Sequence, residues 1–241
     1  MIARGIVIVV LAAAVSPLAW AGDPWKDKPA SGWTMDDTTQ ILTNSPWVRD
    51  AHVPAPWIKG EPQFLFPLLG GCGGRLDPNE PRPEPYSGPS FQSVVVFRVS
   101  WVSAKAYREA KARRAVLCKE MEQDDAENFV EQNGSDDYLV FVRAPDMTPF
   151  EGTDADAVKK STVLTGKKSG SSVPPDSVDI QDTGGGRVVG VVFHFPKTTA
   201  DGKPTVAPDE KELTFDYKAG KTEIRARFQP SKMTLGDARD L

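Results

Sequence analysis

The chain is short of the side chains that most often carry chemistry. Its 241 residues include two cysteines, two histidines and four tyrosines. Two distant cysteines are too few for a structural zinc site. Gly-x-Ser-x-Gly, Ser-x-x-Lys, a phosphate loop and a dinucleotide fingerprint are all missing, so the commonest linear marks of hydrolases and nucleotide-binding enzymes are absent and no cofactor is expected. Positive charge is not in excess: 29 Lys and Arg stand against 33 Asp and Glu, a net charge of −4. Such a balance leaves no electrostatic footprint for nucleic acid, which is not expected as a partner. After the N-terminus no apolar run approaches the roughly 20 residues of a membrane-spanning helix.

The first residues are different. In "MIARGIVIVVLAAAVSPLAWAGDPW" Arg4 makes a positive start, Gly5–Val15 an apolar core, and Pro17 breaks it. Ala19-Trp20-Ala21 fits the small-x-small cleavage rule. Residues 1–21 therefore read as a cleaved signal peptide, with Gly22 the first mature residue and an uncleaved anchor as the alternative. No cysteine follows the cleavage point, which argues against a lipid anchor. Cleavage removes one arginine and no acid. The expected location is periplasmic or extracellular. An oxidising compartment permits a disulfide between Cys72 and Cys118, whereas a buried free thiol at Cys118 is the other reading.

Proline and glycine are plentiful, 21 and 20, and they cluster. Residues 54–90, including "GGCGGRLDPNEPRPEPYSGP", read as an irregular loop with polyproline character inside a single domain over 22–241. Around it the pattern alternates between two periods. Thr34 and Asp37 form a capping box for a short N-terminal helix, which Asn44 closes in a left-handed conformation. Ser45 precedes Pro46 and is pushed to extended geometry. Trp47 then drops its ring back onto Ile41 or Leu42. "FQSVVVFRVSWV" is a strand with Val95, Phe97, Val99 and Trp101 on one face. Ser103 is placed to cap one long helix running to Asn133-Gly134. "DYLVFVRA" and "RVVGVVFHFP" read as strands, the second apolar on both faces and so central. "TDADAVKKSTVL" reads as a short helix, and "ELTFDYKAGKTEIRARF" as a hairpin. The fold expected is α+β: a largely antiparallel sheet, one long helix on a face, and the short helix at the edge.

Few residues suggest a site. His52 and His194 suit satisfied surface or core positions better than metal binding or general-base work. Asp182–Gly186, "DTGGG", has the triplet of aspartic proteases, but a second triplet and a preceding apolar run are missing, and a glycine turn between strands is the simpler reading. The acidic pairs Asp124-Asp125 and Asp136-Asp137 lack calcium-loop spacing. Cys72 has only Arg75 near it in sequence to activate a thiolate. Trp33, Trp47 and Trp101 are structural or binding aromatics: core anchors, or platforms for a sugar if exposed.

Three stretches carry a resemblance: Trp33 with "ILTNSPW", then "VSWVSAKAYREAKAR", then "IRARFQPSKMTLGD". In these the chain resembles a group of uncharacterised exported bacterial proteins. That resemblance implies an exported α+β protein and names no activity, cofactor or active-site residue. The expected function is a secreted or periplasmic binding or structural module, non-enzymatic, with a protein or polysaccharide ligand. The alternative is a hydrolase or carbohydrate-active enzyme without a recognisable linear motif. Two carboxyl groups roughly 5–10 Å apart in a tryptophan-lined cleft would mark it.

Overall fold

The structure is a computed structural model that describes residues 22–72 and 92–241. The expected signal peptide and residues 73–90 of the expected irregular loop lie outside the described residues. The architecture is α+β, with mainly antiparallel strands and helices alongside them. In chain order the elements are α1 (Pro24–Asp27), α2 (Met35–Thr43), β1 (Val48–Pro54), β2 (Phe64–Leu65), β3 (Val94–Trp101), α3 (Lys105–Leu117), α4 (Gln123–Gln132) and β4 (Asp137–Arg143). Then come α5 (Ala155–Lys160), β5 (Thr162–Gly166), β6 (Ser172–Val173), β7 (Ser177–Asp182), β8 (Val188–Pro196), β9 (Leu213–Ala219), β10 (Thr222–Phe228), β11 (Thr234–Leu235) and β12 (Ala238–Arg239).

One sheet was expected, and two face each other. The larger runs β1-β3-β4-β8-β7, with β2 added in parallel against the start of β3; the smaller runs β10-β9-β5-β6. The reason lies in β3, β4 and β8, which carry apolar residues at successive positions and so need cover on both faces. All eight residues of β3 are buried. Its register opposite β1 and β4 puts Ala51, Val53, Val95, Phe97, Val99, Trp101, Val140 and Val142 on one face. That face meets the smaller sheet through aromatic rings: Phe193 to Phe215 at 5.1 Å and Trp101 to Phe228 at 5.5 Å between centroids. Phe150, from the short turn of helix Thr148–Phe150, stacks on Tyr217 at 4.6 Å. Rings in these edge and offset geometries contribute about 0.5–1.5 kcal/mol beyond area burial. Arg49 seals the β1 side. Its Nε donates to the Arg227 carbonyl at 2.9 Å, and its guanidinium lies 5.8 Å from the Phe228 ring centre.

The opposite face of the larger sheet is helped by helices, and here the expectation of one long helix fails. The helix stops at Leu117 and a second begins at Gln123. The break is a Schellman motif. Lys119 takes φ +59, its N–H donates to Val116 O, and the Glu120 N–H donates back to Ala115 O. That pattern satisfies the last carbonyls and turns the chain away. Glycine is the usual occupant of the left-handed position, which is why a lysine there concealed the break. Cys118, the last residue before it, is joined to Cys72 by a disulfide.

The helix starts hold a second correction. Ser103 does not cap α3; its hydroxyl accepts from the Leu139 N–H at 3.1 Å. The cap comes from the far end of the sequence, where the Asp240 carboxylate accepts from Lys105 N at 2.7 Å and Ala106 N at 2.8 Å. Thr34 and Asp37 do form the capping box of α2. Asn44 closes that helix at φ −143, not in the left-handed region, and the Ser45 hydroxyl donates to Ile41 O at 2.6 Å. Trp47 is fully buried; its ring meets Trp25 edge-on at 5.5 Å, and its indole N–H donates to Asp240 O at 2.8 Å.

Candidate functional site

Three arginines tie α3 to the helices and loops around it. Arg114 is buried and donates to Thr39 Oγ1 at 2.9 Å and to Gly70 O at 2.9 Å, tying α3 to α2 and to the loop before the disulfide. Arg113 Nε donates to Trp33 O at 3.0 Å, and Arg108 to Val130 O in α4. Fixed this way, α3 leaves a groove of about 510 Å3 between itself and the strands β4 and β8.

The floor of the groove is apolar and only partly covered. Leu139, Phe141 and Val192 are half-buried there. Phe141 lies against bare backbone, because a Cβ on Gly190 would stand 2.4 Å from its ring. That close approach is what the glycine in "VVGVV" allows. The helical wall presents Tyr107, Lys111, Arg114 and Ala115, and the disulfide closes one end at Cys118.

The rim is mostly cationic. Arg143, at the end of β4, stands directly opposite Arg98 in the strand register, an arrangement of like charges that is unfavourable by itself. Asp50 balances Arg98 with two bonds, Nε to Oδ1 at 2.9 Å and Nη2 to Oδ2 at 3.0 Å. Lys111 faces Arg143 across the groove. Burial among its neighbours, and then the Arg143 charge, push its ammonium below the usual lysine range. Glu120 and Gln181 also line the groove, as do Leu42, Leu69, Gly70, Gly71 and Val102.

The residues singled out from sequence lie elsewhere. Trp33, Trp47 and Trp101 are buried at 1% exposure or less, so none is a surface platform. The Trp33 N–H donates to Pro24 O at 3.0 Å and ties down the N-terminal lead-in. Clefts of about 320, 510, 720 and 460 Å3 form among the described residues, and no tryptophan lines any of them. His52 meets Phe64 edge-on at 5.7 Å. His194, on β8, sits between carboxylates of neighbouring strands: Asp179 Oδ2 at 2.9 Å and Asp137 Oδ2 at 3.8 Å. No group of three or more His, Cys, Asp or Glu among the described residues is arranged to hold a metal ion. Asp182–Gly186 forms the turn of the β7–β8 hairpin, where Gly184 N donates to Asp182 Oδ1 at 2.6 Å and Thr183 N to Arg187 O at 3.1 Å.

Lys111, Arg114, Arg143, Leu139, Phe141 and Val192 were not found from sequence. A signal existed. "DYLVFVRA" and "RVVGVVFHFP" are apolar on both faces, and the helical segment between β3 and β4, "AKAYREAKARRAVL", has few large apolar residues and five cations. Comparison with protein-family models, curated proteins and solved structures finds no match for this chain.

Proposed function

We propose that this is an exported binding module whose ligand site is the groove between α3 and the larger sheet. The observation that carries the reading is the half-buried apolar floor of Leu139, Phe141 and Val192 beneath a cationic rim. Apolar floors with a few convergent polar groups are the usual form of small-ligand sites. Export is supported by the form of residues 1–21 and by the disulfide, a bond that persists in oxidising compartments.

Chemical-shift mapping with a set of small fragments tests the site. The reading expects shifts to concentrate at β4, β8 and the 107–118 side of α3. Shifts concentrated in the loops 169–176 and 196–208, around the larger 720 Å3 cleft, would overturn it. The hydrolase alternative rests on the His194–Asp179 pair, the one histidine held by a carboxylate at 2.9 Å among the described residues. Hydrolysis of an ester or glycoside panel that disappears in His194→Ala would favour that alternative and set the binding reading aside.

A further inference from the structure

We propose that the groove takes a small uncharged carbonyl compound, whose oxygen accepts a hydrogen bond from the Tyr107 hydroxyl while its apolar body lies over Leu139, Phe141 and Val192. The inference rests on the groove being the ligand site. Three observations lead from the site to the ligand class.

The first is an unused donor. Tyr107 lines the groove and is only 8% exposed, yet its hydroxyl makes no hydrogen bond with any described residue. The oxygen is not sealed in either: among the described residues, the enclosed side-chain polar atoms left unbonded are the indole nitrogens of Trp25 and Trp101. It therefore opens on the groove, where water satisfies it until a ligand oxygen takes the water's place. A phenol has one proton to donate, so a ligand oxygen that only accepts is its simplest match. The second is the floor. Leu139, Phe141 and Val192 are half-buried, as are Leu69 and Val102 of the same groove. Covering them removes apolar surface from water, which favours a ligand that is mostly hydrocarbon. The third is that the charged groups of the groove are already engaged. Arg114 is bonded to Thr39 and Gly70, and Arg143 and Glu120 each have a partner. Burial is the first cause of the lowered proton affinity of Lys111, so the groove disfavours charge. A neutral head avoids the cost of bringing an ion out of water.

Chemical-shift titration of the full mature chain with acetophenone, ethylbenzene and sodium benzoate separates the contributions, because the three share one ring and differ in the head. Acetophenone is expected to shift the amides of β4, β8 and the 107–118 side of α3, and to bind at least about tenfold tighter than benzoate. Tyr107→Phe removes the hydroxyl and keeps the ring. It should weaken acetophenone about threefold to tenfold, the effect of one net hydrogen bond, leave ethylbenzene unchanged and keep the parent melting temperature. Equal weakening of both probes would make Tyr107 a packing wall, and weakening of neither would show that the carbonyl bonds elsewhere; each result overturns the assignment. Benzoate binding as tightly as acetophenone would overturn it too. So would a lowered melting temperature for Tyr107→Phe, since the hydroxyl would then have a partner within the protein. If acetophenone does not bind, the ligand class is wrong: fragments still mapping to the groove would leave the site standing, and fragments mapping elsewhere would overturn both.

Discussion

The indole N–H of Trp47 donates to the backbone carbonyl of Asp240, 193 residues away, and the carboxylate of that same aspartate caps the first turn of α3. One residue thus joins the start of the larger sheet to the helix that walls the groove. The two bonds use different atoms, so they can be broken separately.

Asp240→Ala removes the cap and keeps the carbonyl. It should cost about 1–2 kcal/mol, the range for losing an N-cap. Trp47→Phe keeps most of the ring and loses the N–H bond, for about 1 kcal/mol. Trp47→Ala empties a fully buried aromatic site and should cost about 3–5 kcal/mol. Deleting Asp240 and Leu241 removes both bonds, so in that background Trp47→Phe should cost only the packing lost with the smaller ring, about 1 kcal/mol less than in the parent. Urea unfolding of the parent and the five variants checks this; a Trp47→Phe penalty undiminished by the deletion would show that Asp240 O is not its partner.

Glu210 should set part of the acid stability. Its side chain is buried, at 2% exposure, at the foot of the loop before β9. Burial opposes its ionisation, but the Ser169 and Lys168 backbone N–H groups, with the Ser169 hydroxyl, outweigh that and hold the carboxyl at about 2. A folded pKa below the unfolded value means stability present above about pH 4.5 and lost as the pH falls toward 2, worth at most about 3 kcal/mol. Glu210→Gln should lower stability at pH 7 and flatten its decline between pH 4.5 and 2. A parallel downward shift of the whole pH curve would mean the carboxyl is not held in this way.

Lys119 offers a gain. A side chain at φ +59 is strained, and glycine is the residue helices prefer there. Lys119→Gly should stabilise the fold by about 0.5–1 kcal/mol, read as a higher melting temperature. Loss of stability would mean that the lysine makes a contact worth more than the strain.

The disulfide spans a sequence separation of 46. Chain-entropy arguments put closing such a loop at about 4 kcal/mol, less whatever order the reduced chain retains. Cys72→Ser/Cys118→Ser, or the parent in reductant, should lose about 2–4 kcal/mol. Identical unfolding curves in oxidant and reductant would show that the bridge adds nothing.

How far the sequence could be read follows from the range of each interaction. The capping box at Thr34 and Asp37, the alternation of β3 and the β9–β10 hairpin are local, and their residues announce them. The division into two sheets is half local: two-faced strands demand two covers, but not which strands supply them. The α3 break was hidden because an unfavourable residue occupies the glycine position. Trp47 illustrates the limit. Its burial could be inferred from a large ring beside a turn, whereas Asp240 as its partner could not, since nothing near either residue points to the other. The groove was missed for the same reason: its cations lie on α3 and β4, and only the tertiary register brings them to one rim.

The cap at Asp240 also bears on the order of folding and on what hydrogen exchange would report. A helix that begins at an alanine N-cap has no local group to hold its first amides, so in the unfolding ensemble that turn has little reason to persist. It locks only once contacts across 134 and 135 residues have formed, which requires the sandwich between them to be in place. The amides of Lys105 and Ala106 thus report the docking of the C-terminal segment. In the native protein they should exchange when Asp240 undocks, sooner than the buried β3 amides, and Asp240→Ala should speed them while leaving β3 unchanged.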